Sequence, residues 1–163
     1  MKKLQLLVIL FFLLISMPIV YLFASNMERI DYPDNYRSWT HVKSAIINEK
    51  HPLFESFGGI HHVYANSIAL KALKDKSAYP DGATLVFDLR SASPYEGGIN
   101  EGKRRRIDVM QKDQKKFKDS GGWGYGSFSG DSQNLIRQNV IEKCFSCHLS
   151  QKENHYVFSE IEF

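Results

Sequence analysis

Cysteine is scarce: the 163 residues contain two, Cys144 and Cys147. A zinc site needs a second pair of ligands at metal-binding spacing, and no further thiol is there to supply it. Net charge is scarce too. Lys and Arg number 21 against 18 Asp and Glu, and two of the cations, Lys2 and Lys3, stand ahead of a charge-free N-terminal run. The remainder is close to neutral and carries no electrostatic footprint for nucleic acid. The one dense basic patch, Lys103-Arg104-Arg105-Arg106, reads as a solvated loop or strand end rather than an anion site. Internal repeats and low-complexity tracts are absent. With hydrophobic residues at 43% and aromatics at 13%, the composition is neither disordered nor collagen-like. It suffices for one compact domain with an aromatic interior suited to a flat cofactor.

Met1-Lys2-Lys3 precedes an apolar stretch of 21 residues from Leu4 to Ala24, the layout of a secretory signal or an uncleaved membrane anchor. At about 1.5 Å per residue, a helix of this length reaches roughly 30 Å and crosses a bilayer. Leu22-Phe23-Ala24 is a poor small-x-small cleavage site, which favours an anchor. Export is the expectation, to the periplasm or to the outer face of the cytoplasmic membrane. Residues 1–24 are read as signal or anchor. Residues 25–35, where the composition turns polar and Pro33 interrupts, are read as a linker, and 36–163 as the domain.

Within the domain, Trp39–Ile47 is predicted to be helical, Gly59–Ala65 a strand and Ser67–Lys76 a helix with Ile68, Leu70 and Leu73 at near-helical spacing. Tyr79-Pro80-Asp81-Gly82 supplies a turn. From Ala83 to Arg90 the pattern alternates, so Ala83, Leu85, Phe87 and Leu89 share one face and Phe87 points inward. A Gly-rich loop is expected through Gly102, a strand over Arg105–Gln111, and a short charged helix over Lys112–Lys118 that Gly121-Gly122 ends. Trp123–Ser129 reads as a strand, Gln133–Lys143 as a helix and Tyr156–Phe163 as a closing strand. The sum is an α+β domain dominated by antiparallel sheet, preceded by an N-terminal hydrophobic helix.

Cys144-Phe145-Ser146-Cys147-His148 is the attachment pattern for a c-type haem. Two thiols at this spacing each reach one vinyl group on a porphyrin edge, and the adjacent His148 lies under the iron as axial ligand. A thioredoxin-like dithiol normally sits early, at the start of a helix after a strand, whereas this motif is late in the chain. A structural disulfide leaves His148 without a reason. One covalently bound haem c, with iron, is therefore the expected cofactor. The second axial position decides its reactivity, and His41, His51, His61, His62, His155 and Met110 are all nominal candidates. His61 and His62 are adjacent in a predicted strand, so one of them alone faces inward. Spacing leaves the ligand open.

Taken in order, Asn35-Tyr36-Arg37 with Trp39, Val63-Tyr64-Ala65-Asn66, Pro80-Asp81-Gly82, Lys112-Asp113, Gly121-Gly122-Trp123-Gly124, the haem motif and Val157-Phe158-Ser159 resemble the cytochrome P-460 and cytochrome c′-beta family. The resemblance implies a mainly antiparallel sheet, one covalent haem, five-coordinate iron with an open distal side, and usually a homodimer. It also implies that a lysine on the strand after Pro-Asp-Gly cross-links to the porphyrin in the hydroxylamine-oxidising branch. The matching position here is Phe87, which has no amine for a cross-link and no proton to exchange. The c′-beta branch places phenylalanines over the distal iron, so Phe87, with Phe57 upstream, is the candidate apolar cap. The same resemblance matches Asp108 to a supporting carboxylate, one layer back from the haem, in the hydroxylamine-oxidising branch, while periodicity alone reads Asp108 equally as a solvated residue; it also puts His155 where an acidic residue is common. The expected function is binding of nitric oxide or carbon monoxide. The alternatives are electron transfer to a redox partner through a six-coordinate haem, and hydroxylamine or nitric oxide oxidation.

Overall fold

The computed structural model of the protein describes residues 30–130, 132–138 and 141–161. The expected N-terminal helix lies outside them. Among the described residues, no helix is long and apolar enough to cross a membrane. The centre of the fold is an antiparallel sheet of six strands in chain order: β1 (Thr40–Ile47), β2 (Gly59–Ala65), β3 (Thr84–Tyr95), β4 (Gly98–Lys112), β5 (Trp123–Ser129) and β6 (Leu135–Gln138). Helix α1 (Phe54–Phe57) leads into β2, and α2 (Ser67–Asp75) connects β2 to β3. The C-terminal part is a helical run: a π-turn at Ile141–Phe145, α3 (Ser146–His148) and a 3-10 segment, Leu149–Asn154. The domain is α+β and mainly antiparallel sheet.

Register sorts the side chains onto two faces, because successive residues of a strand point to opposite sides. On one face stand Ala65, Leu85, Met110 and Tyr125, then Val63, Phe87, Asp108 and Ser127, then His61, Leu89 and Arg106. α2 and the C-terminal segment cover part of this face, burying Ala69, Ala72, Leu73 and Val157 against Leu85, Trp123 and Tyr125. The other face buries Val86, Ile107, Val109 and Phe128 under Ile30, Tyr36 and Phe117. Each face of β3 is thus covered over most of Thr84–Leu89, Phe87 excepted, so its alternation does not separate core from solvent.

The expected α2 is present, and Asn66 explains both its start and the turn beyond its end. The Asn66 carboxamide oxygen accepts from the backbone N–H of Ala69 (2.9 Å), and its NH2 donates to the Gly82 carbonyl (2.9 Å). One side chain therefore caps the helix and fastens it to the Pro80-Asp81-Gly82 turn, where Gly82 has φ +85°.

Several local expectations are corrected. Trp39–Ile47 is not helical; Thr40–Ile47 is the edge strand β1, paired along β2. Its β-branched Thr40, Val42, Ile46 and Ile47 suit that ladder, and an edge strand with little burial lacks the clean period that distinguishes it from a helix. The Gly-rich loop is a hairpin: Tyr95 faces Gly98 across a two-residue turn of Glu96 (φ +46°) and Gly97 (φ +81°). Positive φ at both central residues matches the twist of the flanking strands. Lys112–Lys118 is a turn followed by a 3-10 segment at Lys118–Ser120, because the Asp113 carboxylate takes the N–H groups of Lys115 and Lys116 (3.0 Å each).

In place of a helix over Gln133–Lys143, Leu135–Gln138 pairs with β5 and the π-turn begins at Ile141. Tyr156–Phe163 forms no strand through residue 161, and residues 162–163 lie outside the described residues. Left-handed backbone at His155 (φ +53°) and Tyr156 (φ +69°) turns the chain instead, and Val157 is tucked into the core. Finally, the stretch read as a linker is packed from Ile30 onward. Ile30 is fully buried over β5, so close that a Cβ added at Gly126 would stand 2.9 Å from its own. Glycine on β5 makes room for the N-terminal segment.

Candidate functional site

Cys144 lies in the π-turn, while Cys147 and His148 lie in α3 directly after it. Positions three and four apart fall on one side of a helix, so the run brings both thiols and the imidazole to a common side. No disulfide joins the cysteines. Cys144 is half-buried against the core and Cys147 is exposed.

The His148 ring packs between Tyr125 (5.1 Å between centroids) and Phe158 (5.0 Å). Its Nδ1–H donates to the Tyr156 carbonyl at 2.7 Å, which fixes the tautomer and leaves the lone pair on Nε2. Burial lowers its pKa and outweighs the opposing effect of that hydrogen bond. A neutral imidazole whose other nitrogen donates to a carbonyl is the form a metal-ligating histidine takes. The carbonyl is positioned by the two left-handed residues: Tyr156 N–H donates to Gln151 O (2.7 Å), and His155 O accepts from Trp123 Nε1 (3.0 Å). Gly121 is required where the turn passes under Tyr156, because a Cβ there would stand 2.5 Å from the tyrosine ring.

Across the same sheet face, the phenylalanines expected as a cap come together. Phe57 and Phe87 meet edge to face with centroids 6.1 Å apart. From Thr84 to Leu89, Phe87 alone is not buried. Its row neighbours Val63 and Asp108 are half-exposed as well, as is Met110 in the next row. A strip of sheet therefore lies open between α1 at one end and the C-terminal segment at the other.

The nominal sixth ligands separate. His62 and His41 lie off this strip, His62 bonded to Ser44 (2.8 Å) and paired with Glu101 (2.5 Å), and His41 bonded to Ser44 (2.9 Å). His51 is exposed and accepts from the N–H of Leu53. Met110, half-exposed, packs against the core beside Leu85 and Tyr125. His155 is half-buried near Tyr79. His61 is buried on the face of Phe87, 4.6 Å from that ring, with Nε2 bonded to the Phe57 carbonyl at 3.2 Å. Asp108 is not simply solvated: it accepts from Ser127 Oγ (2.5 Å) and Arg106 Nε (2.8 Å).

A family model described as Cytochrome P460 matches residues 33–159. The chain belongs to the cytochrome P460 family. No relative among the curated proteins matches it. Membership brings a c-type haem with iron as the cofactor of a cytochrome P460, and the residues present fit one. A half-exposed strip with Val63, Phe87 and Met110 would offer apolar surface to a flat ring, two thiols share a side, and a neutral, oriented imidazole stands beside them. Many of the motifs shared with cytochrome P460 prove to be scaffold. Asn66 and Gly82 hold α2, while Lys112 donates to Gly121 O (2.7 Å) and Trp123 to His155 O.

Sequence reasoning missed the basic run. Arg104 reaches buried Asp88 on one face and Arg106 reaches Asp108 and α1 on the other, although they stand two apart, because a β-bulge opposite Leu89 and Arg90 breaks the alternation of β4 between them. A strict alternation extended back from Ile107 would put Arg104 and Arg106 on one side, so the bulge left no signal in the sequence.

His61 adds a pH dependence. Burial is the main reason its pKa lies below the ordinary 6.5, with the bond to Phe57 partly opposing it. The unfolded chain then binds the proton first as pH falls, so the folded state loses stability below about pH 6.5 until the lowered folded value is passed. Urea midpoints measured from about pH 7.5 to 5 are expected to fall less steeply in His61→Gln than in the wild type. Equal slopes would count against it.

Proposed function

We propose that this chain is an exported haem protein whose single haem is tethered by Cys144 and Cys147 and ligated by His148, and whose distal side admits a small diatomic gas such as nitric oxide or carbon monoxide. The observation that carries the reading is the half-exposed apolar pair Phe57–Phe87, in a strip left open on the sheet face shared with Tyr125, the neighbour of His148. When bound, the haem supplies an iron centre with a vacant coordination position.

The chain's own residues do the rest. The Tyr156 carbonyl holds the His148 tautomer. Phe57 and Phe87 present hydrocarbon, which discriminates against water and anions and accepts neutral diatomics. His61 is engaged with a backbone carbonyl and Met110 with the core, which favours an open position over the six-coordinate electron carrier. Phe87 offers no amine, and Asp108 is held by Arg106 and Ser127, which disfavours cross-linked hydroxylamine oxidation.

The absorption spectrum of the purified ferrous protein tests this directly. A high-spin five-coordinate haem that converts on adding carbon monoxide is the expected result. Low-spin six-coordinate bands before any ligand is added would overturn the open site.

A further inference from the structure

α1 raises a physical question. It is four residues long, it buries none of them, and Leu53 beside it is exposed. One helical turn has no stability of its own in water, and with Phe54 and Phe57 only half-buried little hydrophobic area seats it. Yet it carries Phe57 to the edge of the Phe87 ring. Polar contacts from the sheet make up the difference, and two of the four come from one side chain. Arg106 Nη1 donates to Ser56 O at 2.9 Å, its guanidinium lies 4.6 Å over the Phe57 ring, and its Nε donates to Asp108 at 2.8 Å. Asp108 is braced from the far side by Ser127. Arg105 donates to Gly58 O, and His61 bonds Phe57 O.

We propose that Arg106 is a positioning residue that clamps Phe57 over the distal strip and thereby sets the rate at which gas enters. The inference rests on the open-site reading above. A planar guanidinium is needed because one group must bond a carboxylate and a carbonyl in its plane while offering its face to a ring. An ammonium cannot do all three. Asp108 in turn orients the guanidinium.

The test is a double-mutant cycle on the holoprotein, with the carbon monoxide association rate and hydrogen exchange over residues 53–58 as readouts. Arg106→Ala is expected to speed association about tenfold, the order that follows from losing a cation–π contact and a charge-assisted hydrogen bond. Arg106→Lys, which keeps the charge and guards against a misfolded alanine variant, should show most of the same increase. Phe57→Ala should be fast by itself, and adding Arg106→Ala to it should change nothing further, because the clamp acts through the ring. Exchange over 53–58 should quicken in both Arg106 variants.

An unchanged or slower rate in Arg106→Ala, effects that multiply in the double variant, or unchanged exchange would each overturn the clamp. A wild-type ferrous haem that is low-spin without added ligand would overturn the open site instead. The exchange readout would still judge the clamp.

Discussion

With Cys144 and Cys147 both changed to alanine, the denatured chain carries no haem. In the proposed attachment each S–H adds across a vinyl double bond: a carbon–sulfur bond would form, the hydrogen would go to the other vinyl carbon, and the thioether would survive unfolding. Everything else proposed to hold the ring, the strip beside Phe87 and the single nitrogen of His148, would be non-covalent or labile and lost with the fold. The expected result is therefore all or none on a denaturing gel stained for haem peroxidase activity, or by acid–acetone extraction. Either single variant keeps one tether and stays coloured. His148→Ala separates ligation from attachment: its haem remains on the denatured chain while the native spectrum changes. Haem that stays with the double alanine variant, or that leaves the wild type on extraction, would remove the two cysteines from the site.

The second large effect lies on the opposite face of the sheet. Asp88 is 1% exposed, accepts from Tyr36 Oη at 2.7 Å and from Arg104 Nε at 2.9 Å, and the Arg104 side chain is itself 9% exposed. Burial, then the bond to Asp88, raises the Tyr36 hydroxyl far above its ordinary pKa, so it donates at any physiological pH. Removing the carboxylate leaves a nearly buried guanidinium without its counter-charge, a loss of about 3–5 kcal/mol. A domain of this size has about 5–15 kcal/mol in all. Asp88→Ala is thus expected to lose a fifth or more of the stability in urea unfolding of the holoprotein, about 3 of about 15 kcal/mol at the least. Tyr36→Phe, which forfeits one hydrogen bond, loses only about 1–2 kcal/mol. The haem spectrum of folded Asp88→Ala should match the wild type, since Phe87 and His148 lie across the sheet. A loss under about 1 kcal/mol, well below the roughly 3–5 expected for a buried pair, would show that the guanidinium finds water or another partner.

Both predictions separate what is legible in the chain from what is not. By alternation Asp88 is an outward residue of its strand, opposite Phe87. The alternation is real, but α2 and the C-terminal segment cover one face and Ile30, Tyr36 and Phe117 the other. A period of two says which residues share a side; it does not say that a side is wet. Likewise four cations in a row at Lys103–Arg106 resemble a solvated patch, whereas two of the arginines answer carboxylates 16 and 2 residues away.

Features whose cause is local could be read directly from the residues. The thiols and the imidazole of Cys144, Cys147 and His148 stand three and four residues apart, and any helical turn brings them to one side. The alternation from Ala83 to Arg90 specifies a strand with Phe87 beside Leu85 and Leu89 whatever packs on it. Folding in three dimensions was needed to settle β1 against a helix, since an edge strand is held by its pairing with β2 rather than by propensity. Pairing between segments far apart in the chain also seated Phe57 beside Phe87 and set Tyr125 against the haem-motif histidine. Such contacts leave no period to read, because they depend on which strands become neighbours.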